Sequence, residues 1–215
     1  MQHIKKPCHT DIINAIAKRF DYKNYLEIGV CNPNDCLNRI ICPNKTGVDP
    51  APVHQYNVIN KTSDDFFSNN INTYDLIFID GLHEGEQVFR DINNSLKFLN
   101  TGGTIIAHDC LPENPNPLIG TCYEAIMKLR QTRDDLEIVT LDTCTGIAII
   151  RRGKSTIFSF QEEISFDTYI KYRLKSMNIV NTFDWFNAIG MQLDGFESWT
   201  GINKCYKNGR EQWKN

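Results

Sequence analysis

Residues 74–110, YDLIFIDGLHEGEQVFRDINNSLKFLNTGGTIIAHDC, decide the fold. Leu76-Ile77-Phe78-Ile79 is a continuous apolar run, suited to a strand covered on both faces, and it stops at Asp80-Gly81-Leu82-His83. Residues 84–99 then place Val88, Phe89, Ile92, Leu96 and Leu99 on one face of a helix, and Asn100-Thr101-Gly102-Gly103 supplies the turn that ends it. Residues 104–107 are the next strand, closed by His108-Asp109. Strand, helix and strand in that order make neighbouring parallel strands. Their polar ends then meet at one carboxyl edge, where open α/β sheets hold ligands.

The same alternation runs outward in both directions. Thr10 is the expected N-cap of a helix carrying Ile12, Ile13, Ile16, Ala17 and Phe20. Residues 25–30, 46–49 and 56–60 read as short strands, with a helical turn or two at 35–41 and a helix opened by Thr62-Ser63-Asp64-Asp65. A helix is expected at 118–130 and two closing strands at 136–141 and 146–150. Strands that alternate with helices predict a doubly wound α/β sheet. Beyond Arg151 the pattern changes: Phe166, Ile170, Leu174 and Met177 mark an amphipathic helix, and Trp185, Trp199 and Trp213 fall in the last segment. We therefore expect one domain over residues 1–151. Residues 152–215 are expected to be an appendage that packs on it or on a second copy of the chain, a homo-oligomer in the latter case.

Composition narrows the function. The chain has 215 residues, enough for a sizeable core, and a net charge of -3 from 23 Lys plus Arg against 26 Asp plus Glu. No long basic run exists to neutralise successive phosphates, so nucleic acid is not an expected partner. Eight scattered cysteines show no CxxC pair and no spacing that suits a tetrahedral zinc site, which favours reduced thiols. MQHIKKPCHT lacks the apolar core of a secretion signal, and no apolar run approaches the roughly 18 residues of a membrane span. The expectation is a soluble cytoplasmic protein with no membrane partner.

Glu27-Ile28-Gly29 ends a strand at a turn, and Gly29 permits close approach of a ligand to the backbone. Asn32 and Asn34 stand where a dinucleotide fingerprint would place further glycines, which disfavours a nicotinamide-dependent oxidoreductase. Asp49 ends the next strand, about twenty residues on, where a carboxylate accepts hydrogen bonds from ribose hydroxyls. Taken singly, Glu27 is a surface charge and Asp49 a turn residue before Pro50. Taken with Asp80, they outline a nucleoside site.

These segments, LEIGV, GVDP, YDLIFIDGLH, and the GG turn with TIIAHDC, resemble in order and spacing the class I S-adenosylmethionine-dependent methyltransferases over residues 10–151. The pairing of DGLH with HDC resembles the branch that O-methylates sugars and other glycans. The resemblance implies a Rossmann-like, mostly parallel sheet of seven strands with an antiparallel closing strand. It also implies that Glu27 and Gly29 position the methionine end of S-adenosylmethionine, Asp49 the ribose, and Ser63 and Asp64 the adenine edge. Asp80 and Asp109 would be ligands of a divalent cation and His83 the general base. His108 departs from the family's carboxylate; as a third ligand it would favour Mn²⁺ over the Mg²⁺ that oxygen donors prefer. The rival implication is a non-catalytic nucleoside-binding module held in a larger assembly.

Overall fold

The computed structural model describes residues 7–54 and 57–193, which form six α-helices and eight strands. In chain order these are α1 (His9–Phe20), β1 (Asn24–Ile28), β2 (Asn44–Val48), β3 (Val58–Ile59), α2 (Ser63–Asn69), β4 (Tyr74–Ile79), α3 (Gly85–Phe98) and β5 (Leu99–Ala107). They continue with α4 (Cys122–Thr132), β6 (Leu136–Leu141), β7 (Ile147–Arg152), α5 (Phe166–Ser176), β8 (Ile179–Val180) and α6 (Thr182–Ala188). A 3₁₀ turn at Leu37–Arg39 replaces the helical turn expected at 35–41. The strands join in one sheet of order β3-β2-β1-β4-β5-β7-β6-β8, in which only β7 runs antiparallel to its neighbours.

The sheet is covered on both faces, as the unbroken apolar run of β4 requires. Leu76 and Phe78 face a cluster with α1, while Ile77 and Ile79 face a second with α2, α3 and α4. Strand register does the rest: Ile79 pairs with Ala107, so Asp80 and His108 leave adjacent strands at the same level.

Several local expectations are corrected. Helix α1 is capped by Cys8, two residues before Thr10, because Asp11 accepts from the Cys8 backbone N–H at 3.0 Å and fixes the first turn there. Thr10 is left inside the helix and buried. Residues 100–103 do not form a free turn; they belong to β5, whose pairing with β4 shifts register between Tyr74 and Leu76. Helix α4 starts at Cys122 rather than 118, since Gly120 has φ +64° and Thr121 N–H is spent on His83 O at 2.8 Å.

Helix α5 buries Thr168, Tyr169 and Ser176 and is followed by buried Met177, whereas Ile170 and Leu174 face solvent. Its inward face is thus rotated from the expected stripe, and Tyr169 takes the central place, its ring 4.5 Å from that of Tyr123. Strand β8 adds an eighth strand beside β6, with Thr140 opposite Ile179. Trp185 lies on α6 against the α1 cluster. Tyr56, Trp199 and Trp213 lie outside the described residues.

Candidate active site

A cavity of about 480 Å³ opens over the carboxyl ends of β1, β2 and β4, lined by Gly29, Asp49, Ser63, Asp64 and Asp80 among others. Its size suits a small ligand or cofactor. Gly29 shapes the floor: φ is +88°, and a Cβ there would stand 2.2 Å from the Asp80 carbonyl oxygen. Only glycine allows β1 to turn away so close to the end of β4.

Asp49 follows β2 and is held by two backbone donors, Cys31 N–H at 2.9 Å and Ala51 N–H at 2.7 Å. A carboxylate fixed by two amides presents its remaining lone pairs to the cavity in one orientation. Helix α2 is capped by Thr62, whose hydroxyl accepts from Asp65 N–H at 3.1 Å, and its first turn brings Ser63 and Asp64 to the rim. Two lining residues without a local sequence signal complete this side. Gln87 donates to Ser63 Oγ at 3.2 Å and to the buried Asp91 at 3.0 Å, and burial raises the Asp91 pKa.

Glu27 does not line the cavity. It is 1% exposed, points to the α1 face of the sheet and accepts a hydrogen bond from Tyr25 Oη at 2.6 Å. Burial pushes its carboxyl up to about 7, partly offset by Tyr25 and Cys36. The sequence places Glu27 with the methionine end of the cofactor; the structure makes it an interior group beneath that site.

The four groups from 74–110 do converge, around Asp80, which is the one of them that lines the cavity. His83 Nδ1 donates to Leu118 O at 2.6 Å, which fixes its tautomer, and Nε2 lies 3.3 Å from Asp80 Oδ1. The loop before α4 holds this ring. Gly120 approaches so closely that a Cβ would stand 1.9 Å from His83 O. The proline-rich stretch 111–118 therefore ends as a support for His83.

His108 is half-buried and its Nδ1 donates to Asp80 Oδ1 at 3.0 Å. Asp109, buried and at φ +56°, accepts from the Thr145 hydroxyl and lies 3.6 Å from both His83 Nδ1 and His108 Nδ1. Burial works against the Asp80 charge. The hydrogen bonds from His108 and His83 outweigh it and hold the carboxyl well below the usual carboxylate range. The Asp80 hydrogen bond in turn raises His83, against burial. His108 is pushed up to about 11, because Asp80 and Cys144 outweigh a large opposing effect of burial.

Ligand atoms of Asp80, His83 and Asp109 lie within 4.8 Å of one another, so the structure groups His83 with the two carboxylates where the sequence suggests His108. His108 spends its Nδ1 proton on Asp80 and turns Nε2 toward Cys144 Sγ at 3.3 Å. With Nδ1 on Asp80 and Nε2 toward Cys144, both ring nitrogens of His108 already have partners.

A mostly parallel sheet of this strand order, with a cavity over its carboxyl edge, is a Rossmann-like methyltransferase fold. Residues 41–110 match the model of a family described as "Methyltransferase domain". No curated protein matches the chain by sequence. Among solved structures, an O-methyltransferase from Bacillus cereus in complex with S-adenosylhomocysteine is similar at 15% identity and TM-score 0.53, over 71% of this chain and 84% of that one. The O-methyltransferase TomG from Streptomyces achromogenes, involved in tomaymycin synthesis and in complex with S-adenosylmethionine, is similar at 11% identity and TM-score 0.52, over 66% and 78%. An S-adenosylhomocysteine-bound methyltransferase from Podospora anserina is similar at 15% identity and TM-score 0.53, over 66% and 77%. At these identities the likeness establishes the fold. No described helix is long and apolar enough to cross a membrane.

Proposed function

We propose that the protein transfers the methyl group of S-adenosylmethionine to a hydroxyl of a sugar, a glycan or a related small polyol, with His83 as general base. One observation carries this: His83 has its Nδ1 proton committed to Leu118 O while Nε2 faces Asp80 beside the nucleoside-sized cavity. S-adenosylmethionine supplies a methyl group already activated by its sulfonium. The protein's own work is to align the acceptor oxygen and remove its proton.

Asp49 suits the ribose hydroxyls, Ser63 and Asp64 the adenine edge, and Gly29 the close passage of the methionine portion. Neutral His83 offers the Nε2 lone pair to the acceptor hydroxyl. Once protonated, the same Nε2–H faces Asp80, whose charge stabilises the imidazolium. Leu82 and Leu118 are exposed and flank this ring, giving an apolar surface for the carbon face of an acceptor.

A divalent cation fits the two carboxylates, and hard oxygen donors suit Mg²⁺. Held by Asp80 and Asp109 it would ease the development of alkoxide. It would also draw on His83, which meets the ligand spacing with them, so base and ligand roles compete for one ring.

Titration calorimetry with S-adenosylhomocysteine and methyl-transfer assays over a panel of hydroxyl acceptors test the proposal together. Binding with turnover supports it. Absence of cofactor binding in folded protein overturns it, and binding with no consumption on any acceptor identifies a nucleoside-binding module instead.

A further inference from the structure

Three groups to which methyl transfer assigns no step converge from distant parts of the chain. His9 is the first residue of α1, His108 follows β5, and Cys144 sits in the turn between β6 and β7. Their ligand atoms lie within 4.8 Å of one another, and His108 alone links them to the carboxylate cluster, through its Nδ1. We propose that His9, His108 and Cys144 form a three-ligand site for a borderline-soft transition-metal ion, with Zn²⁺ the best fit.

Distances favour a common central ion. Cys144 Sγ lies 3.3 Å from His108 Nε2 and 3.7 Å from His9 Nδ1. Zinc bonds of about 2.3 Å to sulfur and about 2.05 Å to nitrogen, at a tetrahedral angle, separate the two donors by roughly 3.6 Å. The observed pair brackets that value. A thiol–imidazole hydrogen bond would need one ring at this sulfur, whereas two rings approach it.

The surroundings hold each ligand in place. A histidine that binds metal through one nitrogen commonly gives its other N–H to a carboxylate, which sets tautomer and ring plane. His108 does so to Asp80 at 3.0 Å, leaving Nε2 toward Cys144. His9 stacks on Phe78 with ring centroids 5.6 Å apart and meets His108 edge-on at 5.0 Å. The Thr143 hydroxyl donates to Pro7 O at 2.9 Å, tying the β6–β7 turn to the start of α1. Cys144 and Thr145 both adopt positive φ, 49° and 58°, a conformation that non-glycine residues hold at a cost. That strained turn carries Cys144 to the two imidazoles.

One thiolate and two imidazoles select zinc-like ions over Mg²⁺. All three residues are half-buried, which leaves room for water or an acceptor hydroxyl as a fourth ligand.

The test uses the full chain, freed of any affinity tag and stripped of metal, with Zn²⁺ measured by equilibrium dialysis and Co²⁺ as an optical reporter. The expected result is one Zn²⁺ per chain and a thiolate-to-cobalt absorption band. Cys144→Ser should abolish the band, and His9→Gln should weaken Zn²⁺ binding about tenfold or more. Circular dichroism confirms the fold of each variant, and His9→Gln carries the test if Cys144→Ser does not fold. Absence of Zn²⁺ binding in the wild type overturns the site. So does a cobalt band that survives Cys144→Ser, or His9→Gln binding equal to wild type.

Discussion

His108 Nδ1 lies 3.0 Å from Asp80 Oδ1, a contact that ties the end of β5 to the end of β4. Asp80 therefore serves two imidazoles with one oxygen, since His83 Nε2 lies 3.3 Å from the same atom. The carboxylate favours the charged form of both rings. In Asp80→Asn that charge is gone, and burial, which favours neutral imidazole, is opposed only by Cys144 and Asp109. Nuclear magnetic resonance titration of the metal-free protein should show His108 still charged at pH 8 in the wild type and losing its proton at a lower pH in the variant. An unchanged titration would separate the two residues.

His83→Ala should lose turnover by about 10²- to 10⁴-fold, the usual worth of a positioned base, while S-adenosylhomocysteine binds as before. The pH profile follows from the sign of the shift. Asp80 raises the His83 pKa, and a base must be neutral to act. Wild-type kcat/KM should thus climb with pH to beyond 6.5, the ordinary histidine value. A profile already flat below that pH, or near-wild-type turnover in the variant, excludes His83 as the base.

Asp49→Asn keeps the side-chain shape but removes the charge that faces the cavity. Hydrogen bonds to a charged group are worth about 1.5–3 kcal/mol. Affinity for S-adenosylhomocysteine should fall about tenfold or more by calorimetry, and the melting temperature should fall as well, since the Asn side chain can accept from only one of the two backbone N–H groups that hold Asp49. Equal affinity would place the ribose elsewhere.

The parts of the fold that the sequence reveals are those set by periodicity. The apolar run at 76–79 and the helical stripe of α3 each impose their element by burial, and the doubly wound order follows. Asp80, His83, His108 and Asp109 are legible as a cluster because two neighbouring strands end on them. What periodicity hides is side-chain direction and long-range approach. Glu27 sits one residue before the end of β1, and the alternation of strand faces turns it toward Tyr25 and away from the cavity. His9 and Cys144 are 135 residues apart and meet only through the closure of the β6–β7 turn on α1. Spacing rules for metal ligands read local pairs such as CxxC and cannot see such a set. Helix α5 shows the same limit in the core, where Tyr169 rather than Ile170 is drawn inward by Tyr123.

Glu27 itself yields a stability prediction. Its folded-state pKa is raised from 4.5 to about 7, chiefly by burial, so the folded protein holds a proton that the unfolded chain has released. A raised value contributes stability fully present below pH 4.5 and lost as pH rises through about 7. A difference of this size corresponds to about 3 kcal/mol at 1.36 kcal/mol per unit. Glu27→Gln keeps an oxygen for the Tyr25 hydroxyl and cannot ionise. In cofactor-free protein, urea midpoints should be similar for the two at pH 5 and higher for the variant at pH 8. If both lose stability equally between these pH values, Glu27 is ionised in the fold and its interior site is not as apolar as its 1% exposure requires.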